Sequence, residues 1–384
     1  MNMIVTFVSC YLNHHQLSLC EELKKRCDEF YFIATDEMPD DRAKLGYESG
    51  DSKHDFVVCA YSEDDHTKVY DLLCRSHIVI FGSCPDEYIE YRMNLGKPAF
   101  LYTERFFKKG VWRRFIPQTR KKVVSRIIKY KDKPLYVLCA GGFVSWELTL
   151  CGFDGDKCFR WGYFPVVNKY EDYPKRKNQT AKLLWAGRML DWKCTCHAIE
   201  AARLLKAQKV DFDLDIIGAG EQEQNLRELV KSAELEDRVH FLGSMPPSDV
   251  AEHMRQADIF LMTSNFYEGW GAVVNEAMST GCAVLASSAA GCVPYLITDG
   301  DNGLIYKFGD MNDLAHKLRK LIEDKPLRET LGRKAIETIQ HEYSADLAAQ
   351  RFMEFVSSPD GKKPSYESGP MSKAPIIKNN WYKP

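Results

Sequence analysis

The chain has 384 residues, more than one hydrophobic core ordinarily serves, so two domains are expected. Its 45% apolar and 28% charged residues are those of a soluble globular protein, and no run approaches the roughly 20 apolar residues that span a bilayer. The formal charge of −2 conceals one strongly basic segment, taken up below.

Thirteen cysteines are scattered singly, without a C-x-x-C pair, many in apolar runs such as FVVCA and YVLCA. That pattern reads as reduced, buried thiols in a cytoplasmic protein. Cys194, Cys196 and His197 form one C-x-C-H cluster with no second ligand pair; it reads as a helix face, and no metal is expected. The start, MNMIVTFVSC, lacks the basic opening and cleavage site of a secretory signal and reads as a first buried strand.

In the first half, short apolar runs alternate with helical patterns. Strands are expected over Met3 to Val8, Glu29 to Ala34, Asp55 to Ala60, Ile78 to Phe81, Ala99 to Tyr102 and Leu135 to Cys139, with helices such as Gln16 to Cys27 and Asp64 to Cys74 between them. This alternation predicts an α/β domain on a parallel sheet, with ligands at the C-terminal ends of its strands. In the first such loop, SCYLNHHQ, Asn13, His14 and His15 can donate or exchange protons near a substrate; equally, Asn13 can cap the next helix and leave the histidines solvated in its first turn. After the fifth strand, LYTERFF places Glu104 in a comparable position.

From Arg105 to Lys133 there are twelve Lys or Arg residues against one acid, Asp132. Bulky apolar residues, including Phe106, Phe107, Val111, Trp112, Phe115, Val123, Val124, Ile127 and Ile128, are interleaved with them. Basic and apolar residues together predict a surface lying on an anionic membrane, with Arg113, Arg114, Lys121 and Lys122 as its cations. A solvated helix face is the plainer reading. Nucleic acid is not expected, because no recognised RNA or DNA module accompanies the run.

The polar stretch Asn168 to Thr180 reads as a linker, giving domains at 1–167 and 168–344, with residues 345–384 expected to return to the first. The second half repeats the alternation. Strands are expected over Lys182 to Ala186, Phe212 to Ile217, Val239 to Leu242, Ile259 to Met262, Ala283 to Ala286 and Leu304 to Tyr306; the helix Ser248 to Gln256 is expected to be capped by Ser248. Gly218-Ala219-Gly220 lacks the third glycine of a dinucleotide fingerprint and reads as a strand-to-helix turn. Asp211, Asp213 and Asp215 precede or enter a strand rather than follow it, so they read as a solvated strand edge.

The densest signal is YEGWGAVVNEAMSTG, Tyr267 to Gly281. Glu268 stands before a Gly269-Trp270-Gly271 turn, and a helix over Ala272 to Thr280 carries Glu276. Backbone N–H groups without partners at such a helix start suit a phosphate, and glycines permit close approach. A carboxylate one turn in can accept two hydrogen bonds from a cis-diol.

This spacing of two glutamates before E-A-M-x-x-G resembles the signature of the family 4 retaining glycosyltransferases, as does the G-R…K order of Gly187, Arg188 and Lys193 in WAGRMLDWKC. The resemblance is strong from Leu183 to Ile322 and weak before Asn168. It implies a GT-B architecture, two Rossmann-like domains with parallel sheets facing a central cleft. It also implies transfer of a hexose-type sugar, with retention, from a nucleotide-diphosphate sugar (a UDP-sugar above all) to a hydroxyl of a saccharide or lipid-linked acceptor in glycoconjugate or polysaccharide biosynthesis. Arg188 and Lys193 would hold the departing diphosphate, Glu268 the sugar hydroxyls and Glu276 the ribose. Gly187, Gly218, Met245, Gly269, Trp270 and Gly271 would line the nucleotide sugar, and Asn13, His14, His15 and Glu104 the acceptor or donor-sugar side.

Three departures stand out. The first loop lacks the Gly-Gly pair that family members often carry, Glu104 stands where many have a His, and Tyr295 stands where a Glu is common. No cofactor beyond the nucleotide-sugar co-substrate is expected, and the enzyme should work in the cytoplasm at the inner face of the membrane. A GT-B hydrolase or epimerase and a non-catalytic sugar-nucleotide-binding membrane scaffold are the rival readings.

Overall fold

The computed structural model describes every residue except 1–2, 40–52, 167–172, 175, 177 and 360–361. Part of the expected linker (168–172, 175 and 177) therefore lies outside the described residues. The chain divides into two compact units, one of Met1–Val166 with Glu342–Lys378, the other of Val167–His341 with Asn379–Pro384.

The first unit is built on seven strands: β1 (Ile4–Ser9), β2 (Glu29–Ala34), β3 (Val57–Cys59), β4 (Ile78–Phe81), β5 (Ala99–Thr103), β6 (Leu135–Ala140) and β7 (Cys158–Trp161). They form one sheet in the order β3-β2-β1-β4-β5-β6-β7, and every pairing is parallel. Central strands such as β4 are buried along their whole length, as expected when helices cover both faces. One face packs Phe81, Leu101 and Val137 against Phe107, Val123 and Ile127. On the sheet's Phe100 side, the returning helix Ala345–Ser357 sets Phe352 and Phe355 with ring centroids 4.8 and 6.0 Å from Phe100.

Strand β7 is absent from the sequence reading, because CFRW is short and follows a turn without an apolar run. Its free edge is covered: Arg160 N donates to Ser372 O (2.7 Å), Met371 N to Arg160 O (3.0 Å) and Ala374 N to Cys158 O (2.9 Å). The stretch after the last helix thus blunts a sheet edge that would otherwise expose unpaired backbone.

The second unit holds β8 (Ala181–Ala186), β9 (Phe212–Ile217), β10 (Val239–Gly243), β11 (Ile259–Met262), β12 (Ala283–Ser287) and β13 (Leu304–Tyr306). Their order is β10-β9-β8-β11-β12-β13, again parallel throughout. The Ser248 cap is corrected here: the helix is Pro247–Gln256, with Pro at its first turn, and Ser248 Oγ donates to Asp249 instead. The return of the tail is likewise partial. Trp381 Nε1 donates to Ser288 O (2.9 Å) and Tyr382 OH to Ile305 O (2.7 Å), so the last residues pack on the second unit.

The triplet Asp211, Asp213 and Asp215 enters β9, which lies between β10 and β8, with Asp211 exposed and Asp213 and Asp215 half-buried. Asp211 pairs with Arg238, and Asp213 lies 3.8 Å from His240. Two parallel α/β sheets, each in its own unit, agree with the Rossmann-like pair expected from the sequence.

Candidate active site

In the second unit the predicted residues lie at or beyond the C-terminal ends of parallel strands, where such sheets bind ligands. After β8 the chain turns through Gly187 and Arg188 and lies on the loop that follows β9. Gly187 N donates to Ile217 O (3.0 Å) and Met189 N to Ala219 O (2.9 Å). Gly218 and Gly220 make room for this: an added Cβ would sit 1.9 Å from Gly187 O or 2.5 Å from Met189 O. The Gly-Ala-Gly triplet therefore serves the placement of the Arg188 loop. Gly218 N in turn donates to Gly243 O (2.8 Å), which draws the Gly243-to-Met245 loop beside it. Arg188 is exposed and Met245 half-buried.

The turn Asp191–Lys193 is stitched to the end of β11. Asn265 N donates to Trp192 O (2.9 Å), and buried Thr263 Oγ1 to Lys193 O (2.8 Å). Trp185 Nε1 donates to the same threonine oxygen at 2.9 Å. Cys194 follows with φ +50°, a left-handed backbone that a cysteine adopts only under constraint. So held, Lys193 Nζ meets Glu268 Oε2 at 2.5 Å, and Ser264 Oγ donates to that oxygen at 2.9 Å. Both charged side chains are mostly buried, 16% and 9% exposed, so little water screens the pair.

The Glu268-to-Gly271 turn rests on Gly291, whose N donates to Glu268 O (3.2 Å), while Cys292 N donates to Trp270 O (3.0 Å). The Trp270 ring is fully buried, 6.4 Å from Tyr295, and its Nε1 donates to Asn275 Oδ1 (2.9 Å), so its backbone is the part left to a ligand. Gly269 and Gly271 flank it, and the helix Val273–Ser279 begins as Val274 N donates to Gly271 O (2.9 Å). Glu276, one turn in, has its pKa pushed up to about 7 by burial, with the charge of Lys193 acting in the opposite direction.

His197 Nδ1 lies 3.5 Å from Tyr306 OH, and Cys194 Sγ donates to Asp191 O and Trp192 O.

In the first unit Asn13 caps the helix His14–Lys24, its side chain accepting from His15 N, so His14 and His15 stand in the first turn. His15 stacks on Tyr163 (centroids 5.3 Å, planes 14° apart), and Tyr163 OH donates to Glu104 Oε1 at 2.6 Å. The structure thus joins His15 to Glu104 through a residue the sequence reading did not single out. Thr263, Trp185 and Gly291 were missed in the same way; only Thr263, a polar residue closing an apolar strand, left a local sign.

The basic segment is less of a uniform surface than its composition suggests. Phe107, Val123 and Ile127 are buried in the core, and Phe106, Val111 and Ile128 pack against it. Arg105, Lys108, Arg126 and Lys129 pair with Glu147, Glu104, Asp86 and Glu90. On the outside lie Trp112 (58% exposed), Phe115 (69%) and Val124, with Lys121 and Lys122 among the exposed cations and Arg113 and Arg114 lying over the Trp112 and Phe115 rings. No helix among the described residues is long and apolar enough to cross a membrane.

Residues 168–338 match the family model described as glycosyl transferases group 1. An N-acetyl-alpha-D-glucosaminyl L-malate synthase of Bacillus anthracis is 30% identical over 144 residues, 38% of this chain and 37% of its own. A D-inositol 3-phosphate glycosyltransferase of Pseudarthrobacter chlorophenolicus is 35% identical over 160 residues, 41% of this chain and 38% of its own. The chain thus spans well under half the length of these curated relatives. Among solved structures, Anabaena HepE in complex with UDP superposes with a TM-score of 0.71 at 17% identity, over 93% of this chain and 100% of that one. WaaG, a glycosyltransferase involved in lipopolysaccharide biosynthesis, superposes with 0.62 at 14%, again over 93% and 100%. At such identities the likeness is one of fold, and both are GT-B structures. Residues 168–338 therefore carry a domain similar to the glycosyl transferases group 1 family, and the fold is that of GT-B structures.

Proposed function

We propose that the protein is a retaining glycosyltransferase that moves a hexose-type sugar from a UDP-sugar to a hydroxyl of a saccharide or lipid-linked acceptor, in glycoconjugate or polysaccharide biosynthesis. The observation that carries this reading is the Lys193–Glu268 contact over a glycine turn, at 2.5 Å. An ammonium donates to phosphate and a carboxylate accepts sugar hydroxyls, so their contact sets a diphosphate subsite directly beside a sugar subsite. The relatives' names and the UDP complex of HepE support the same class.

In the reaction, the bond from the anomeric carbon to the diphosphate oxygen breaks while the acceptor oxygen bonds to that carbon on the same face. The acceptor's proton passes to the departing phosphate. Negative charge grows on the diphosphate as the bond breaks, so Arg188 and Lys193 favour the transition state over the ground state. The reading assigns that charge to these two side chains and requires no metal. Glu268 holds sugar hydroxyls, Glu276 the ribose diol, and the backbone of Gly187, Gly218, Met245, Gly269, Trp270 and Gly271 lines the nucleotide. Asn13, His14, His15 and Glu104 fall to the acceptor or donor-sugar side.

A panel of nucleotide sugars tested by melting temperature, followed by nucleotide release with and without saccharide acceptors, tests this. UDP-sugar stabilisation with acceptor-dependent release is expected. Acceptor-independent release would favour the hydrolase or epimerase, and binding without turnover the scaffold. Normal turnover after Arg188→Ala with Lys193→Ala would end the assignment.

The partner surface in this reading is the anionic inner face of the membrane. Trp112 and Phe115 insert, and Arg113, Arg114, Lys121 and Lys122 meet the headgroups. Each exposed cation near such a surface contributes about 1 kcal/mol. Reversing these four charges should abolish flotation with phosphatidylserine vesicles; unchanged flotation counts against the membrane.

A further inference from the structure

We propose that Trp381 and Tyr382 are positioning residues of the donor site: packed on the second unit, they pin the loop that carries the Glu268-to-Gly271 turn. This deepens the nucleotide-sugar reading above and rests on it. The loop, Ser287 to Cys292, leaves the end of β12, and its far end supports the turn through Gly291 N to Glu268 O and Cys292 N to Trp270 O. Its near end pivots on Ser288, a buried residue held at all three of its polar groups. Ser288 N donates to Tyr306 O (2.9 Å), its Oγ accepts from Phe308 N (3.1 Å), and its O accepts from Trp381 Nε1 (2.9 Å). The first two contacts come from the end of β13 and the third from the tail.

Between these ends the loop is a tight turn. Ala289 N donates to Ser287 Oγ (3.2 Å) and Ala290 N to Ser287 O (3.1 Å), so a shift at Ser288 passes on to Gly291. Gly291 has little room to absorb it, because its backbone lies directly against that of Gly269.

Tyr382 reaches the same loop by a second route. Its hydroxyl lies 2.7 Å from both Ile305 O and Asp299 Oδ2, and it accepts from Lys317 Nζ at 2.7 Å. Lys317 Nζ also donates to Ile305 O (2.6 Å), and Asp299 Oδ1 accepts from Ile305 N (2.8 Å). Ile305 is thus held at both backbone groups, just before Tyr306 and Phe308, the residues that fix Ser288. The Phe308 ring in turn meets Phe266 edge-on at 6.0 Å and 72°, and Phe266 stands two residues before Glu268.

This anchoring exceeds what folding gains from it. Trp381 and Tyr382 are only half-buried, and Asn380, Lys383 and Pro384 beside them are exposed. The entropy lost in ordering this stretch opposes the gain from two such rings. A binding turn, by contrast, holds its geometry only when the contacts behind it are locked.

Calorimetry with UDP and hydrogen exchange of the Ser287-to-Cys292 peptide test this on the full chain. Trp381→Phe keeps a ring and loses the N–H; Tyr382→Phe keeps the ring and loses the hydroxyl. Each should weaken UDP about fivefold, the worth of one hydrogen bond passed to the site. Exchange in the loop should accelerate in each, with little change in melting temperature. A lowered melting temperature with UDP affinity intact would mean that the tail only stabilises the fold, and overturns the inference. Unaltered loop exchange in both variants overturns it as well. A wild type that binds none of UDP, GDP and ADP would sink the donor reading; accelerated loop exchange in the variants would still uphold the hold on the Glu268 turn.

Discussion

Gly291 shows how a residue far along the chain can decide the geometry of the Glu268 turn. An added Cβ there would stand 1.8 Å from Gly269 O, which no side-chain adjustment relieves because the obstacle is backbone. Gly291→Ala is expected to cost about 1–3 kcal/mol as an overpacked site. It should also push the Glu268-to-Gly271 backbone aside, so that UDP binding by calorimetry falls below detection. Gly309→Ala serves as the control: nothing lies within 4 Å, and only its φ of +85° resists, so stability drops by about 1 kcal/mol with UDP binding retained. Retained binding in Gly291→Ala would remove Gly291 from the site. Glu276 gives a pH signature. Its pKa of about 7 lies above the roughly 4.3 of an unfolded glutamate, so ionising it costs the native state increasingly as pH rises from 4.3 to 7. Glu276→Gln should therefore leave stability unchanged near pH 4, raise it at pH 8, and weaken UDP at both; denaturant midpoints at the two pH values check the sign. Glu268 with Glu276, and Arg188 with Lys193, were singled out because the spacing within each pair is local. Gly291, Thr263 and Tyr163 were not, because each acts across the fold on a partner the sequence does not place beside it.

At the scale of elements, the helix Val273–Ser279 is short, and its C-terminal end is held from outside. Arg176 Nη1 donates to Gly281 O (2.8 Å), Nη2 to Thr280 O (3.0 Å) and Nε to Arg255 O (3.1 Å). One guanidinium thus gathers the trailing carbonyls of two helices, where a cation is favoured by the helix dipole. Removing charge-assisted bonds to half-buried carbonyls costs about 1–3 kcal/mol. Arg176→Ala should lower stability by that amount and speed hydrogen exchange in Val274 to Thr280. Arg176→Lys, which reaches one carbonyl at a time, should recover part of it. Exchange unchanged in that helix would show the clasp to be idle. Sequence patterning located strands such as β2, β4, β9, β11 and β13 to the residue, because apolar runs bounded by turn residues are a local property. It passed over the helix Lys325–Glu337, whose start KPLRET is too polar to announce a buried face although Leu331, Ala335 and Ile336 lie inside. It also left open which apolar residues of the basic segment face the core, since composition does not tell a core-facing valine from an exposed one.

For the molecule as a whole, the chain's last long helix belongs to the sheet that it left first. Ala345–Ser357 is separated from β7 by the Val167–His341 part of the second unit, yet it covers the first sheet. Phe352 is fully buried, with its ring 4.8 Å from Phe100 and 6.1 Å from Trp161, and Phe355 lies 4.9 Å from Phe159 and 5.8 Å from Tyr136. Without that helix an aromatic face of β5, β6 and β7 would meet water, at roughly 25 cal/mol for each Å² uncovered. Phe352→Ala removes the central ring and is expected to cost about 3–5 kcal/mol. The cost should fall on one unit: hydrogen exchange should accelerate in β5, β6 and β7 and stay unchanged in β8 to β13, with UDP affinity kept. Equal acceleration in both sheets would mean that the two units share one cooperative core. UDP affinity lost with the first sheet would mean that the nucleotide depends on more than the second unit's own strand ends.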